Sequence, residues 1–374
     1  MQDQLLTRTK RLVVKIGSSL VTSRGEGLRL DHISSLTKDL TAVQAENREV
    51  VVVTSGAIVS GIDQLELKTY PHALPLKQAA AAVGQSRLMR AYEKSFEELG
   101  FKVAQILLTH QDLADRKRFL NARHTLTSLI RFGVIPIINE NDTVSVDEIQ
   151  FGDNDTLAAQ VAHVVDADLL VILSDVAGLY TADPRQDPSA TLIPVVKEIT
   201  KDIEQRAGTS RTEESTGGMI TKVQAAKQAA QFGVSTLIIN GETPGLLPCV
   251  LNGEPSGTYF MPNYRRLQSR KQWIAFTLRP KGHLILDDGA VQALQHRGKS
   301  LLPSGILEVK GEFQPGDSVI CADQHGEEFG KGLVNYSSHT LRYIKGQKTS
   351  EVLKMTGQQE YEEVIHRDNL VILS

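Results

Sequence analysis

Residues 11–17 read RLVVKIG and residues 49–56 read EVVVVTSG, with DHISSLTKDLTAVQAE between them at 31–46. The two outer stretches are short, apolar and rich in valine, as β-strands are, whereas the middle segment has the length and pattern of a helix. Strands this apolar are usually covered on both faces, as in a parallel sheet whose strands are joined by crossover helices. This part of the sequence therefore predicts the β-α-β unit of an α/β sandwich.

The same alternation of strand and helix continues to about residue 260. Segments of helical length, such as the alanine-rich stretch Leu76–Leu99, separate the later strands. Those strands are predicted at KVAQILLT (102–109), VIPIIN (134–139), DLLVILSD (168–175) and STLIIN (235–240). The predicted architecture is an αβα sandwich with a mainly parallel sheet.

The character of the sequence changes after about residue 262. The stretch PNYRRLQSRK is polar and basic, and beyond it short strands alternate with PSG, PGD and KGQ turns and with one helix, GAVQALQHR. We expect a first domain over residues 1–262, a linker over 263–273 and a small β-rich domain over 274–374.

Bulk properties favour a globular protein of two domains. The chain has 374 residues, 41% of them hydrophobic, and a formal charge of −3 that gives no general attraction to nucleic acid or membranes. Cys249 and Cys321 lack CxxC spacing, so neither a disulfide framework nor a zinc site is indicated. No run approaches 18 apolar residues and the N-terminus does not resemble a signal peptide. We expect a cytoplasmic protein that does not cross a membrane.

Several predicted strands end in polar or glycine-bearing stretches. Ligands of open α/β sheets bind at the carboxyl ends of the strands, so these stretches should meet in space. They are KIGSS (15–19), TSGA (54–57), NEND (139–142) and SD (174–175), and the acidic stretch FGDND (151–155) follows the third. A glycine in any one of them is more often a simple turn than a ligand contact. Neither the P-loop pattern nor the dinucleotide fingerprint occurs, so a phosphate site would be built in another way.

Two lysines and one aspartate are the candidates for chemistry. Lys15 lies late in an apolar strand, where a buried lysine needs a partner. Lys222 lies near the first turn of a predicted helix that follows a glycine loop. The simpler alternative for each is a lysine that reaches solvent. Two lysines with a carboxylate suit phosphoryl transfer, with Asp155 either holding the lysines or meeting Mg²⁺.

These residues resemble the amino acid kinase family, and within it the bacterial glutamate 5-kinases. Any one of the shared segments would be a weak signal, whereas five in the family's order and spacing, across roughly residues 8–260, are highly specific. The segments are KIGSSLV (15–21), VVTSGAIVSG (52–61), INENDTVSVDEIQFGDNDTLAA (138–159), LLVILSDVAGLYTADPR (169–185) and TGGMITKVQAAKQA (216–229).

The resemblance implies ATP-dependent phosphorylation of the L-glutamate side-chain carboxylate to L-glutamyl 5-phosphate, the first step of proline synthesis. It also implies Mg²⁺ with the ATP, feedback inhibition by proline, and a dimer or tetramer. Because a glutamate side chain with a pKa of about 4.3 is already ionised at neutral pH, the nucleophile needs no general base. A labile acyl phosphate product suggests handover to a glutamyl phosphate reductase.

The family's functional residues carry over by matching motif. Lys15 and Lys222 would stabilise the transferring phosphoryl group, with Asp155 organising them, and no protein ligand to a metal is predicted. The residues expected to bind glutamate are Ser55, Gly56, Asp142, Asn154 and Asp153, with the ammonium group on Asp142 and with Asp153 in the glutamate and proline pocket. The residues expected to bind ATP are Lys15, Ser174, Asp175, Thr216, Gly217, Gly218, Met219, Ile220, Thr221 and Lys222.

The second domain resembles PUA, a small β-barrel common in RNA-modifying proteins, on the stretches 279–320 and 330–346. An RNA-binding protein is therefore a rival reading. Residues 271–374 hold 12 Lys and Arg against 13 Asp and Glu, whereas RNA binders usually show a basic face, so RNA contact is not expected. Two further alternatives are another carboxylate kinase of the same fold and a non-catalytic sensor of nucleotide or amino acid.

Overall fold

The computed structural model describes residues 6–23, 25–67, 69–71, 73–144, 153–208, 218–262, 271, 274, 278, 280–348, 351–352 and 362–373. Of Arg116 and Asp153 it describes the backbone alone. The chain forms two compact units, Met1–Asn263 and Tyr264–Ser374. Apart from Lys271, the predicted linker 263–273 lies outside the described residues, so the predicted domain limits stay predictions.

Six described strands of the first unit follow the predicted apolar runs, and four short ones were not predicted. The ten are β1 (Arg11–Ile16), β2 (Thr22–Ser23), β3 (Gly27–Leu28), β4 (Glu49–Val53), β5 (Val103–Leu108), β6 (Ile135–Glu140), β7 (Leu169–Ser174), β8 (Val195–Val196), β9 (Ser235–Asn240) and β10 (Thr258–Phe260), of which β2, β3, β8 and β10 were not predicted. Eight of the ten form one sheet in the order β5-β6-β4-β1-β7-β9-β10-β8, and β2 pairs with β3 in a separate two-stranded sheet. All pairings in the large sheet are parallel except that of β10 with β9. The predicted mainly parallel sheet is confirmed.

Ten helices are described in this unit. They are α1 (Ser18–Val21), α2 (Leu30–Ala45), α3 (Ala57–Gln64), α4 (Leu74–Glu97), α5 (His110–Ala114), α6 (Arg116–Arg131), α7 (Asp153–Val164), α8 (Lys201–Gly208), α9 (Met219–Gln231) and α10 (Leu246–Leu251). In the described part of the chain, no helix combines the length and the apolar character that spanning a membrane requires.

The sheet is covered on both faces, which explains why its strands are apolar throughout. On one face, side chains of α2, α4 and α10 pack against alternate residues of the strands, among them Val14, Val52 and Ile137. On the other, α6, α7 and α9 pack against the intervening residues, such as Val13 and Val53. The predicted αβα sandwich is therefore confirmed, with two hydrophobic layers divided by one sheet.

Helices α3 and α4 cross with their backbones in contact. A Cβ at Gly84 would lie 1.9 Å from the carbonyl oxygen of Ala57, and one at Gly61 would lie 1.8 Å from that of Ala80. Only glycine fits at both positions, because no side chain can be accommodated against backbone at such a distance. The crossing fixes α4 directly behind the turn that leads from β4 into α3.

The second unit has its own sheet and its own core. The sheet order is β12-β11-β13-β14-β15, with all pairings antiparallel except that of β11 with β13. The elements are β11 (Gly282–Leu286), α11 (Asp288–Arg297), β12 (Ile306–Gly311), β13 (Ser318–Ala322), β14 (Glu328–Leu333), α12 (Ser338–Ile344), β15 (Leu370–Ile372) and 3₁₀ turns at Pro303–Gly305 and Arg367–Asn369. Helix α11 is the predicted one. The expectation of a single helix was wrong, because the short α12 also forms, its first turn capped by Ser337.

The crossing of α3 and α4 predicts that Gly84→Ala destabilises the first unit. The new methyl group would force the helices apart, and such overpacking costs about 1 to 3 kcal/mol. Gly208→Ala at the end of α8 is the matched control, because a Cβ there meets nothing within 4 Å. Thermal and urea unfolding should show a lower free energy of unfolding for Gly84→Ala and an unchanged one for Gly208→Ala. Equal stability of the two variants would contradict the crossing.

Candidate active site

The carboxyl ends of four adjacent strands, β6, β4, β1 and β7, lie within two residues of one another along the same edge of the sheet. Lys15 in β1 is aligned with Val53 in β4 and with Ile172 in β7. The Thr54 N–H donates to the carbonyl of Ile138 in β6, at 2.9 Å. The polar stretches that follow these strands are thereby brought together, as the sequence predicted.

A buried group of three charged side chains stands at the centre of this edge. The Lys15 Nζ lies 2.7 Å from Asp155 Oδ1, and the Lys222 Nζ lies 3.7 Å from Asp155 Oδ2. Lys15 is 6% exposed, Lys222 is 5% exposed and Asp155 is fully buried. The alternative of two lysines that reach solvent is therefore wrong. Both ammonium groups face one carboxylate supplied by α7.

The charges of this triad, Lys15, Asp155 and Lys222, affect the protonation of Asp155 and Lys222. Burial alone would raise the pKa of the Asp155 carboxyl, but the ammonium groups of the two lysines outweigh it and hold the pKa at about 2. Burial, and to a lesser degree the charge of Lys15, lowers the pKa of the Lys222 ammonium. Asp155 is therefore ionised at every pH at which the protein would work.

Both carboxylate oxygens of Asp155 face groups of the protein. Besides the two lysines, the Thr221 hydroxyl donates to Asp155 Oδ2 at 2.7 Å. This contact joins the first turn of α9 to the first turn of α7. A carboxylate so engaged fits the positioning of lysines rather than the direct binding of Mg²⁺. Within the described ranges, no group of three His, Cys, Asp or Glu side chains has the arrangement of a metal site.

The residues predicted to bind ATP lie on the β7 and α9 side of the triad. Ser174 ends β7, and its hydroxyl donates to Asp175 Oδ1 at 3.0 Å. The negative charge of Asp175 acts on Lys222, which places the two side chains near each other. Gly218 caps the N-terminus of α9, which begins with the half-buried Met219 and Ile220. Thr216 and Gly217 lie outside the described residues, so their contacts stay predictions.

Of the residues predicted to bind glutamate, Ser55, Gly56 and Asp142 follow β4 and β6, whereas Asp153 and Asn154 begin α7. Ser55 is half-buried just beyond β4, and Gly56 starts α3 with φ of 100°, a left-handed conformation that favours glycine. Asp142 is buried two residues beyond β6. Asn154 stands in the first turn of α7 beside Asp155, and its Oδ1 is buried with no hydrogen-bond donor among the described residues. The Asp153 side chain is not described.

Three polar residues of this region were missed by sequence reasoning. The Asn139 amide donates to Gln85 Oε1 at 2.8 Å, in a buried contact between β6 and α4. Burial and, secondarily, the charge of Asp142 raise the pKa of the Tyr70 phenol, so Tyr70 lies beside that aspartate. The only signal in the sequence for Gln85 is a polar residue on the mostly apolar inward face of the helix. Nothing local marks Tyr70.

Removal of the Asp155 charge should destabilise the first unit in a pH-dependent way. Asp155→Asn leaves two buried ammonium groups without an anion, and breaking a buried pair costs about 3 to 5 kcal/mol. The loss in the free energy of unfolding should be smaller at pH 10 than at pH 7, because burying a neutral lysine costs less free energy than burying a charged one. Urea unfolding at both pH values measures it, and Asp202→Asn at the exposed pair with Arg206 should change little. A loss of equal size at both pH values would contradict the role of the buried charges.

Comparisons with known proteins agree with this geometry. Residues 10–240 match the amino acid kinase family model, and residues 282–356 match the PUA domain model. The predicted second domain is thus confirmed. Carbamate kinase from Giardia lamblia, solved with AMP-PNP, covers 68% of this chain and 99% of its own, with a TM-score of 0.50 and 17% identity. That likeness shows the fold.

Similarity over the full length is much closer. Glutamate 5-kinase of Geobacter sulfurreducens is 50% identical over 373 residues, which are 100% of this chain and 100% of that one. Glutamate 5-kinase of Moorella thermoacetica is 48% identical over 98% of this chain and 97% of its own. With a buried lysine–aspartate–lysine site on an αβα sandwich and a PUA domain after it, the chain is a kinase that belongs to the amino acid kinase family and, within it, to the glutamate 5-kinases.

Proposed function

We propose that the protein transfers the terminal phosphoryl group of ATP to the side-chain carboxylate of L-glutamate, producing L-glutamyl 5-phosphate and ADP. The observation that carries the proposal is the triad, in which two buried ammonium groups converge on one buried carboxylate at the ligand-binding edge of the sheet. The name shared by the relatives supports glutamate as the acceptor.

The triad carries a net charge of one positive unit, two from the lysines and minus one from Asp155. Such a charge, fixed in a site of low dielectric, attracts phosphate oxygens and stabilises the charge that develops on them during transfer. Asp155 holds the two ammonium groups apart and aimed. Mg²⁺ would be held by the phosphates and water rather than by this carboxylate, and it would supply further neutralisation.

The acceptor needs orientation but no deprotonation. Its side-chain carboxylate is ionised at neutral pH and is itself the nucleophile, so the site requires no general base. In the proposed arrangement Asp142 takes the ammonium group of glutamate, and Ser55 and Asn154 provide hydrogen bonds. Gly56 lets the backbone approach the transferring group closely. Asp153 belongs to the same pocket.

The nucleotide occupies the other side of the triad in this proposal. Ser174 and Asp175 follow β7, and the segment 216–222 leads into α9, whose N-terminus adds a positive dipole end near the phosphates. Lys15 and Lys222 then lie between the two substrates. This order places the terminal phosphoryl group beside the glutamate carboxylate, as in-line transfer requires.

Several further properties are proposed from the family. The reaction is the first step of proline biosynthesis in the cytoplasm, and proline inhibits it by occupying the glutamate pocket. The protein works as a dimer or tetramer and passes its labile acyl phosphate to a glutamyl phosphate reductase. If proline did not suppress turnover, the proposed feedback inhibition would be wrong. If a reductase did not change the flux, the proposed handover would be wrong. We propose no RNA partner, because the charge of residues 271–374 is balanced.

The direct test is ADP release from Mg·ATP with hydroxylamine present to trap an acyl phosphate. L-glutamate, N-acetyl-L-glutamate, L-aspartate and UMP are compared, each with and without proline. Hydroxamate that forms with L-glutamate alone and decreases with proline is the expected result. Turnover with another acceptor would assign a different kinase activity, and absence of turnover with all four would favour a sensor.

Loss of a triad member should abolish most of the activity. Lys222→Ala and Asp155→Ala should each lower kcat by about 10² to 10³, because a preorganised charge contact in an active site has that effect. Asp142→Ala should mainly raise the KM for glutamate. Lys227→Ala is the matched control, since this lysine is on the same helix but half exposed and paired with Glu204. Wild-type kinetics in the Lys222 and Asp155 variants would refute the assignment.

The pH profile should show an alkaline limit. The Lys222 ammonium is the active form, and its pKa is lowered from 10.5, so its proton is lost as pH rises through a value below 10.5. The value of kcat/KM for ATP, which reports the free enzyme, should therefore decline before pH 10.5 is reached. In Lys222→Arg the residual activity should lack this limit, because guanidinium keeps its proton. The same limit in both proteins would contradict the assignment to Lys222.

A further inference from the structure

Gln85 is a polar residue in a position that the fold would otherwise fill with an apolar one. It lies on the inward face of α4, one turn before Leu88 and two turns before Tyr92, both of which are fully buried in the core. Gln85 is only 9% exposed. A buried side-chain amide requires hydrogen-bond partners for both its donor and its acceptor ends.

The oxygen of the Gln85 amide has a hydrogen-bond donor. The hydrogen bonds between Glu140, Asn139 and Gln85 show which end of the amide is the oxygen. The Glu140 backbone N–H donates to Asn139 Oδ1 at 2.9 Å. A backbone N–H can only donate, so Asn139 must present its oxygen there and its Nδ2 to the other side. That Nδ2 donates to Gln85 Oε1 at 2.8 Å. The orientation of Gln85 follows, with its Nε2 directed away from Asn139.

The donor end has no such partner. Gln85 Nε2 is buried, and no described residue offers it an acceptor. A buried donor left without an acceptor costs far more than a hydrogen bond contributes, so such groups in native proteins are usually completed by a ligand or water. Tyr92, on the same face of the helix, shows the contrast, because its hydroxyl pairs with Thr54 Oγ1 at 2.9 Å.

Gln85 lies on the side of the site where glutamate is predicted to bind, beyond β4 and β6. The preceding residue, Gly84, packs against the carbonyl of Ala57, immediately after the Ser55–Gly56 turn. The Gln85 Oε1 accepts from Asn139 near the end of β6, and the chain continues from there to Asp142. Gln85 therefore lies between the two segments to which glutamate contacts are assigned.

We propose that Gln85 is a specificity-determining residue, whose Nε2 donates a hydrogen bond to the α-carboxylate of the amino acid acceptor. The inference rests on the proposed function. The side-chain carboxylate of the acceptor must lie at Lys15 and Lys222, so the carboxylate left for Gln85 is the α one. The α-carboxylate and the ammonium group share one carbon atom. This is consistent with their being held by Gln85, which is bonded to Asn139 in β6, and by Asp142, two residues beyond that strand.

Two substitutions distinguish a substrate donor from a structural partner of Asn139. Gln85→Met keeps the size of the side chain and removes both its acceptor for Asn139 and its free donor. Gln85→Glu keeps an acceptor for Asn139 but replaces the donor by a second acceptor. If Gln85 binds the α-carboxylate, Gln85→Met should raise the KM for glutamate about 10- to 100-fold, as loss of a hydrogen bond to a charged group does. Gln85→Glu should raise it further, because two carboxylates repel. The kcat and the KM for ATP should change little.

Steady-state kinetics in the hydroxamate assay at pH 8, with thermal unfolding of each variant, give the readout. Gln64→Met is the control, because it makes the same substitution at an exposed position on α3. A KM for glutamate that is near wild type in Gln85→Glu but raised in Gln85→Met would overturn the inference, as would equal losses in the KM for both substrates. Wild-type protein without glutamate turnover would instead overturn the proposed function, and the inference with it.

Discussion

Two ammonium groups cannot share a dry site unless an anion stands between them, and Asp155 is that anion. Its carboxylate accepts Lys15 from β1 on one oxygen and faces Lys222 and Thr221 of α9 on the other. Three separate elements are therefore held by one side chain. The cost of burying each charge is offset only while all three are in place, so the position of α7 and α9 over the sheet is tied to the chemistry of the site.

The order of the strands gives this group its central place. β1 has β4 on one side and β7 on the other, and Lys15 is aligned with the last residue of β4 and lies within two residues of the end of β7. The polar turns beyond β4 and β6 are thus on one flank of the triad, and those beyond β7 are on the other. A site with two flanks suits a reaction with two substrates that must meet at one fixed charge. The close crossing of α3 and α4 supports the first flank from behind.

Much of this could be read from the sequence. The apolar runs predicted the strands because a sheet covered on both faces leaves few polar positions, and Lys15 was conspicuous for that reason. Other features depend on how helices cross, which local pattern does not encode. The contact of Gly84 with Ala57 and the amide pair of Asn139 with Gln85 join residues far apart in the chain. The sequence also did not determine whether Lys222 is buried, because its position on the helix allows either a solvated or a buried side chain.

The wide spacing of the triad along the chain also bears on its synthesis. Lys15 is made first, Asp155 follows about 140 residues later, and Lys222 follows after a further 67. A domain folds as a unit as it leaves the ribosome. Until α9 has emerged, the growing chain lacks Lys222, the second cation that gives the triad its net positive charge. The net positive charge of the triad is therefore among the last properties that the first unit acquires.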